Sequence, residues 1–190
     1  MGLKGKEYWG KNSLDWQIKT SKGLGIFSAM KEIAGGYDPR YRSTSAHISI
    51  NSQLSDNFLL RSTISAQNSD AKAPTSAYIS IGSRNNVRGF HDNSIYGPDG
   101  FYLTNNLETS TYKLTPKINI SGYYGLDYGR IKKHANIDVN QNYLIGHAVG
   151  IRVNIPFGYM ELAYAQALSR PEEFEDEKSN HFYGSIRFSY

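Results

Sequence analysis

Residues 143–164, YLIGHAVGIRVNIPFGYMELAY, decide the fold, because they hold two alternating segments joined by a tight turn. One phase of both segments is mostly apolar: Ile145, Val149, Ile151, Val153, Ile155, Met160, Leu162 and Tyr164. The other phase is smaller or more polar: Gly146, Ala148, Gly150, Arg152, Asn154, Tyr159, Glu161 and Ala163. A period of two indicates β-strands with one apolar face, and Pro156 to Gly158 supply the turn. The stretch therefore predicts an antiparallel hairpin.

The same alternation recurs in six further segments along the chain. Their apolar positions are Leu14, Trp16 and Ile18; Ala46, Ile48 and Ile50; Phe58, Leu60 and Ile64; Phe101, Leu103 and Leu107; Ile118, Ile120, Tyr124, Leu126 and Tyr128; and Phe182, Ile186, Phe188 and Tyr190. Several approach the roughly 9 to 11 residues that a tilted barrel strand needs to cross a bilayer. We therefore predict an all-β fold, an antiparallel transmembrane β-barrel region with about eight strands.

The connections between these segments alternate between short and long. The short ones are residues 54–57, 110–116 and 156–158, and the long ones are 23–45, 70–99, 132–142 and 169–180. Outer-membrane barrels have short periplasmic turns and long external loops. A soluble lipocalin-like barrel or a sandwich also alternates, but its apolar face lies inside and its tight turns more often occur at both ends.

Composition excludes several classes of protein. The 190 residues have a mean hydropathy of −0.53, which suits strands that are apolar on one face only. No stretch approaches the roughly 20 apolar residues of a spanning helix, and residues 1–22 contain no apolar export signal. The net charge of +4 is spread along the chain, so we expect no nucleic-acid partner. The absence of cysteine argues against zinc-thiolate sites and disulfide scaffolds.

Catalysis is not predicted, because no nucleophile, base and acid converge on one part of the barrel. The histidines are scattered, and no pair has metal-ligand spacing: His47, His91, His134, His147 and His181. We expect no catalytic residue, no metal and no cofactor. The acidic run at residues 172–177 is interpreted as a solvated external loop, with contact to lipopolysaccharide-bound divalent ions as the alternative.

The longest connection carries the residues that suggest a function: GSRNNVRGF at 82–90, followed by GPDG at 97–100. The segment Val87-Arg88-Gly89-Phe90 resembles the tip of the sixth extracellular loop in two-partner secretion transporters. These form the haemolysin-activator and filamentous-haemagglutinin transporter family (ShlB/FhaC/HecB-like), which is related to assembly proteins of the BamA type. Further matches follow in family order: Asp99-Gly100, Glu108, the segment GLDYG at 125–129, and the ending GSIRFSY at 184–190, which includes Phe188 and Tyr190.

The resemblance covers essentially the whole chain and implies a fold. Residues 1–190 would be the C-terminal half of a sixteen-stranded barrel, without the periplasmic POTRA domains and the first strands. It also implies that the motif loop folds into the lumen, where Arg88 meets Asp127 as a latch. Asp99, Gly100, Glu108 and Gly129 would be supporting motif positions. One departure is Gly125, where the family usually has an aromatic residue.

The residues themselves agree with this pairing. Asp127 shares the polar, inward phase with Ser121 and Gly125, and a carboxylate suits a guanidinium fork. Gly89 would permit a tight turn at the tip. The alternative is a solvent-facing Arg-Gly turn in an ordinary loop.

Barrel width bears on where the loop can lie. Side chains just fill an eight-stranded barrel, so either the loop stays outside or further strands are needed. A half barrel would leave two edges that lipid does not tolerate. We therefore expect this chain to be a fragment.

The resemblance implies translocation of an unfolded exoprotein, such as a haemolysin, adhesin or contact-dependent toxin, across the bacterial outer membrane. The expected partners are that exoprotein, outer-membrane lipid and lipopolysaccharide, and the full-length protein is expected to be a monomer. Two alternatives remain at this point, a BamA-type assembly factor and a stand-alone eight-stranded porin or adhesion-type barrel.

Overall fold

A computed structural model describes residues 1–23, 40–70, 73–90, 94–132, 142–169 and 180–188. Ten strands form one antiparallel sheet, and two short strands form a second. In chain order the strands are β1 (Gly2–Trp9), β2 (Asn12–Lys22), β3 (Arg42–Gln53), β4 (Phe58–Ser69), β5 (Ile79–Ile81), β6 (Ile95–Gly97), β7 (Gly100–Thr109), β8 (Tyr112–Thr115), β9 (Ile118–Ile131), β10 (Tyr143–Ile155), β11 (Gly158–Ser169) and β12 (Asn180–Phe188).

The large sheet follows the order of the chain, β1-β2-β3-β4-β7-β9-β10-β11-β12, with β8 pairing only with β9. Each long strand is therefore bonded to its neighbours in sequence, which is the up-and-down topology of a barrel wall. The small sheet, β5 with β6, lies within the connection between β4 and β7. Among the described residues, no helix is long and apolar enough to cross a membrane.

The predicted alternation is confirmed, and it places the apolar residues on the outer face. Val149 and Ile151 on β10 and Leu162 on β11 are more than half exposed. On the opposite face of the same strands, Ala148, Ala163 and Ala165 are buried. This arrangement opposes a lipocalin-like barrel, whose apolar face would be inside. It matches a barrel whose outer face is in contact with lipid.

The strand count differs from the prediction. Because β8 lies off the main path, nine of the ten strands follow one another, whereas the sequence suggested about eight. The additional strand is β1, which forms a hairpin with β2 in which Gly5 faces Trp16. Its outward positions include Gly5 and Glu7, so its apolar periodicity is too weak to reveal it.

The tight turns that the structure describes lie at one end of the sheet, as predicted. The β1–β2 turn at Gly10, where φ is 59°, adds a further short connection at that end. The segment 110–116 is more ordered than expected, because β8 continues the pairing with β9. The opposite end bears the long connections, including the one that contains the motif.

Candidate functional site

The connection between β4 and β7 lies against the inner face of the sheet. Its hairpin, β5 with β6, contributes Ile81 and Ile95 to an apolar cluster with the motif residues Val87 and Phe90. Ile131 at the end of β9 and Leu144 at the start of β10 complete the cluster. Burying apolar surface on both sides attaches the loop to the wall.

A compact turn presents the motif. The Asn86 side-chain oxygen accepts hydrogen bonds from the backbone N–H of Gly82 (2.9 Å) and of Val87 (2.6 Å). The N–H of Ser83 donates to the carbonyl of Val87 at 3.1 Å. Gly82 has a φ of 108°, a conformation that favours glycine. These bonds fix the backbone immediately before Arg88.

Arg88 and Asp127 are brought together as a two-pronged ion pair. Nε of Arg88 donates to Oδ2 of Asp127 at 2.6 Å, and Nη2 donates to Oδ1 at 2.7 Å. The Arg88 backbone N–H also donates to Oδ2 at 3.1 Å. Nη1 donates to Oδ1 of Asn106 on β7 at 2.8 Å. The guanidinium fork and the carboxylate are therefore matched in geometry as well as in charge.

The pair is shielded from solvent. The side chain of Asp127 is 0% exposed and that of Arg88 is 9% exposed. Burial disfavours the charge on Arg88, but the hydrogen bonds and negative charge of Asp127 outweigh it, so the pKa of Arg88 is raised. Removing one member of a buried pair costs about 3–5 kcal/mol, because it leaves an uncompensated charge. The geometry can therefore hold the loop in one position.

Small residues on β9 and β10 make room for the loop. A Cβ at Gly125 would collide with the Arg88 guanidinium, and a Cβ at Gly146 would collide with the Arg88 carbonyl. At Gly125 the guanidinium of Arg88 therefore occupies the space that a side chain would need. Gly89, with a φ of 96°, lies against the backbone of Gln166 and Ala167 on β11.

The sequence did not predict the surface on which the loop packs, called the seat below. Gly125, Gly129 and Gly146 belong to it, because a Cβ on each would meet loop atoms. Next to it, Ala148, Ala163 and Ala165 are buried in a cluster with Tyr123. The available signal was the run of glycines and alanines at inward positions of three neighbouring strands. Asn106 was also missed, because its phase alone did not indicate a partner.

Aromatic and charged side chains line the wall next to the pair. The Tyr123 ring lies between two guanidinium groups, with its centroid 5.7 Å from Cζ of Arg88 and 4.5 Å from Cζ of Arg152. Glu108 accepts from Arg152 Nη1 at 2.6 Å and pairs with Arg61 at 3.2 Å. Arg152 also pairs with Glu161 at 3.3 Å. Arg152 and Glu161 thus lie on the inner face, at the polar phase that the sequence indicated.

The other positions predicted from the sequence, Asp99, Gly100 and Gly129, make contacts within the fold. Oδ1 of Asp99 accepts from the N–H of Ser69 (2.8 Å) and from Asn68 (3.0 Å), joining the start of β7 to the end of β4. Gly100 begins β7, beneath Ile131. Gly129 faces Ile81 and Val87 of the loop.

The C-terminal signature is only partly described. Phe188 ends β12 and is exposed on the outer face, whereas Tyr190 lies outside the described residues. His91, His134 and residues 172–177 also lie outside them. Within the described ranges, no group of three or more His, Asp or Glu residues could hold a metal ion.

Comparisons with known proteins give one matching family and several similar proteins. The model of the haemolysin secretion/activation protein family ShlB/FhaC/HecB matches residues 1–153. The haemolysin transporter protein HpmB of Proteus mirabilis is 28% identical over 160 residues, covering 78% of this chain and 27% of that protein. The outer membrane transporter CdiB-2 of Burkholderia pseudomallei (strain 1026b) is 26% identical over 162 residues, covering 80% of this chain and 26% of that protein.

Two solved structures share the fold. CdiB from Escherichia coli superposes with a TM-score of 0.87 at 20% identity, covering 97% of this chain and 35% of that one. CdiB from Acinetobacter baumannii gives 0.79 at 22% identity, covering 100% of this chain and 32% of that one. The chain thus spans about a quarter of the length of the curated relatives, 27% and 26%.

Proposed function

The chain belongs to the haemolysin secretion/activation family ShlB/FhaC/HecB, and from that premise we propose that it forms the C-terminal barrel wall of a two-partner secretion transporter. The complete protein would move an unfolded exoprotein, such as a haemolysin, adhesin or contact-dependent toxin, across the bacterial outer membrane. It would act without a nucleotide or cofactor and without catalysis. The names of the two curated relatives, a haemolysin transporter and an outer membrane transporter, support this proposal.

The buried pair of Arg88 and Asp127 is the observation that carries the proposal. A charged loop tip that packs on the inner face of a membrane barrel has no role in attaching the barrel to lipid. Its placement instead supports control of the lumen, with Arg88 and Asp127 as the latch that positions the loop. Glu108 would support the latch through Arg152 and Tyr123.

The other part of the inner face suits the passage of an unfolded chain. On β3 and β4, Ser49 and Thr63 share a hydrogen bond of 3.2 Å, and His47 bonds Ser65 at 2.8 Å. Hydroxyl and imidazole groups can exchange hydrogen bonds with a passing peptide backbone without binding apolar side chains tightly. The partners we propose are the exoprotein, outer-membrane lipid and lipopolysaccharide, with the complete protein as a monomer.

The two alternatives have less support. The family match names haemolysin secretion rather than barrel assembly. A stand-alone eight-stranded barrel would have no room for a loop on its inner face, since side chains fill such a barrel. The docked loop therefore favours a wider barrel.

The test is secretion by the complete natural protein carrying single substitutions. Arg88→Ala and Asp127→Ala should each lower export of the exoprotein at least about tenfold, because each leaves a buried charge unpaired. Arg88→Lys should lower export less, since it keeps the charge but loses the fork. The matched control is Arg84→Ala, which removes a neighbouring loop arginine whose recorded contact is a 3.5 Å bond to the Gly184 carbonyl.

Export at the unsubstituted level by both Ala variants would remove the latch from the mechanism. Equal losses in Arg84→Ala and Arg88→Ala would point to general damage to the loop. Barrel assembly would be supported instead if the variants depleted unrelated outer-membrane proteins before export declined.

A further inference from the structure

The charged side chains on the outer face of the sheet are confined to its two ends. At outward positions of the described strands and the residues that flank them, the cations are Lys22, Arg42, Arg130 and Lys132. All four are exposed and lie at the end with the long connections. The outward anion of the opposite end is Glu7, on β1. Between the two ends, the outward positions of the described strands carry no charged side chain.

Lys22 and Arg42 are direct cross-strand partners in the pairing of β2 with β3. Like charges in that position repel each other. Asp70 is the nearby anion, and its Oδ2 accepts from the Arg42 backbone N–H at 2.7 Å. Among the described residues, neither Lys22 nor Arg42 forms a recorded ion pair. Counting only the residues that the structure describes, one carboxylate accompanies two cations here, which leaves a surplus of positive charge.

Arg130 lies among the aromatic residues of a cluster on the outer face. It pairs in register with Phe101 on β7 and Tyr143 on β10. The ring of Tyr128 lies 5.8 Å from Phe101 and 6.3 Å from Tyr143, centroid to centroid. Aromatic rings in such a band mark the boundary between hydrocarbon and headgroups. Arg130 and Lys132 are therefore at headgroup height.

A groove of about 890 Å³ runs beside them on the outer face. Its apolar lining includes Ile64, Ala66 and Phe101, and its rim includes Arg130 and Lys132. Asp99 also lines it, but its Oδ1 is engaged by Ser69 and Asn68. An apolar floor under a cationic rim fits a molecule with hydrocarbon chains and anionic headgroups.

We propose that Lys22, Arg42, Arg130 and Lys132 bind the phosphate groups of lipopolysaccharide, with one acyl chain in the groove on Ile64, Ala66 and Phe101. Among the residues that the structure describes at this end, the four cations exceed the two neighbouring carboxylates, those of Asp70 and Asp99. This inference rests on the proposed function only for orientation, since it places the long connections on the outer surface. It concerns the lipid-facing side, whereas the Arg88 latch lies on the inner face.

The test is lipid binding to the complete natural protein purified in detergent, measured by native mass spectrometry. The probe is lipid A with two phosphates, compared with its monophosphorylated form and with phosphatidylglycerol. The variants are the double Arg130→Gln/Lys132→Gln and the quadruple variant that adds Lys22→Gln and Arg42→Gln. The matched control is Lys113→Gln/Lys117→Gln, which removes two positive charges near β8 at the opposite end.

We expect the quadruple variant to bind bisphosphorylated lipid A at least about tenfold more weakly, with an intermediate loss for the double variant. The control should bind like the unsubstituted protein, and loss of one phosphate should weaken binding. Unchanged binding by the quadruple variant would overturn the proposal, as would equal affinity for phosphatidylglycerol. Boiled and unboiled gel mobility shows that each variant is folded.

The two proposals fail separately. If Arg88→Ala exports normally while the quadruple variant loses lipid A, the latch is wrong and the lipid site stands. If Arg88→Ala blocks export while the quadruple variant keeps lipid A, the reverse holds.

Discussion

Two parts of the inner face have the same strand geometry and opposite chemistry. On β9, β10 and β11 the inward positions near the motif are mainly glycine and alanine, with one aspartate and the larger residues Tyr123, Ile131 and Leu144, and most of them are buried. On β2, β3 and β4 they are mainly hydroxyl, amide and imidazole groups that remain partly exposed, such as Ser49 and His47.

This difference shows that alternation with a period of two predicts the strands of the wall. It does not predict whether a part of the wall binds the loop or lines the lumen. Small inward residues form a seat, because they let a second layer of backbone approach. Small polar residues at inward positions leave the wall hydrated. A cluster of glycine and alanine at inward positions of adjacent strands is therefore the feature that distinguishes a docking face from a lining face.

The largest effect should come from removing the negative charge of Asp127 from the seat. The chain has no cysteine, so Val87→Cys introduces a single thiol at a position that is 0% exposed. Adding Asp127→Ala should raise the labelling rate of that thiol by at least about a hundredfold, since about 3–5 kcal/mol of pairing is lost. Thiol labelling of the folded protein by a soluble maleimide is the measurement. A rate that stays the same would mean that apolar packing alone holds the loop.

An added side chain should weaken docking of the loop at the seat, but not at a glycine away from the loop. Gly146→Val places a side chain where the Arg88 carbonyl lies and should weaken docking by about 1–3 kcal/mol. Gly184→Val is the matched control, because a Cβ there meets nothing within 4 Å. The Val87→Cys labelling rate should increase in the first variant only. Similar rates in both would show that the glycines of the seat are not selected by loop contact.

Removing a neutral partner of the latch should cost less. Asn106→Ala deletes the acceptor for Nη1 of Arg88 while leaving the ion pair intact. The expected loss is about 1 kcal/mol, which is a roughly fivefold increase in labelling of Val87→Cys. A loss as large as that of Asp127→Ala would instead make Asn106 an equal member of the latch.

The lining wall should tolerate change. Ser49→Ala combined with Thr63→Val removes a hydrogen bond between β3 and β4 that lies away from the loop. Surface changes of this kind stay within about 0.5 kcal/mol, so loop labelling and the temperature of gel-mobility conversion should not change. An increase in Val87→Cys labelling would show that the two parts of the inner face are coupled.

Much of the fold could be predicted from the sequence, because a one-sided apolar phase persists over most strands. The outward placement of Val149, Ile151 and Leu162 was predicted correctly. β1 was missed since Gly5 and Glu7 interrupt its apolar phase, and only its pairing with β2 reveals it.

The site was less accessible to sequence reasoning. The Arg88 and Asp127 positions came from a family resemblance, supported by the inward phase of Asp127. The seat around Gly125 and Gly146 depends on which strands are neighbours and on how far the loop extends along the inner face. Neither property can be predicted from the residues near these glycines in the sequence. The need for glycine at position 125 follows only from the docked loop, because the guanidinium of Arg88 fills the space of a side chain there.

The hairpin of β5 and β6 also has a consequence for the order of folding. Its contacts, from Ile79 with Gly97 to Ile81 with Ile95, join residues close in sequence. Such local contacts close in microseconds, long before the distant strands of a barrel find their register. We therefore expect the loop to acquire its shape early and to meet β9, β10 and β11 as a preformed unit. The late step would be its docking onto a wall that must itself be assembled first. Arg88 would therefore bind Asp127 only after the strands of the wall have paired.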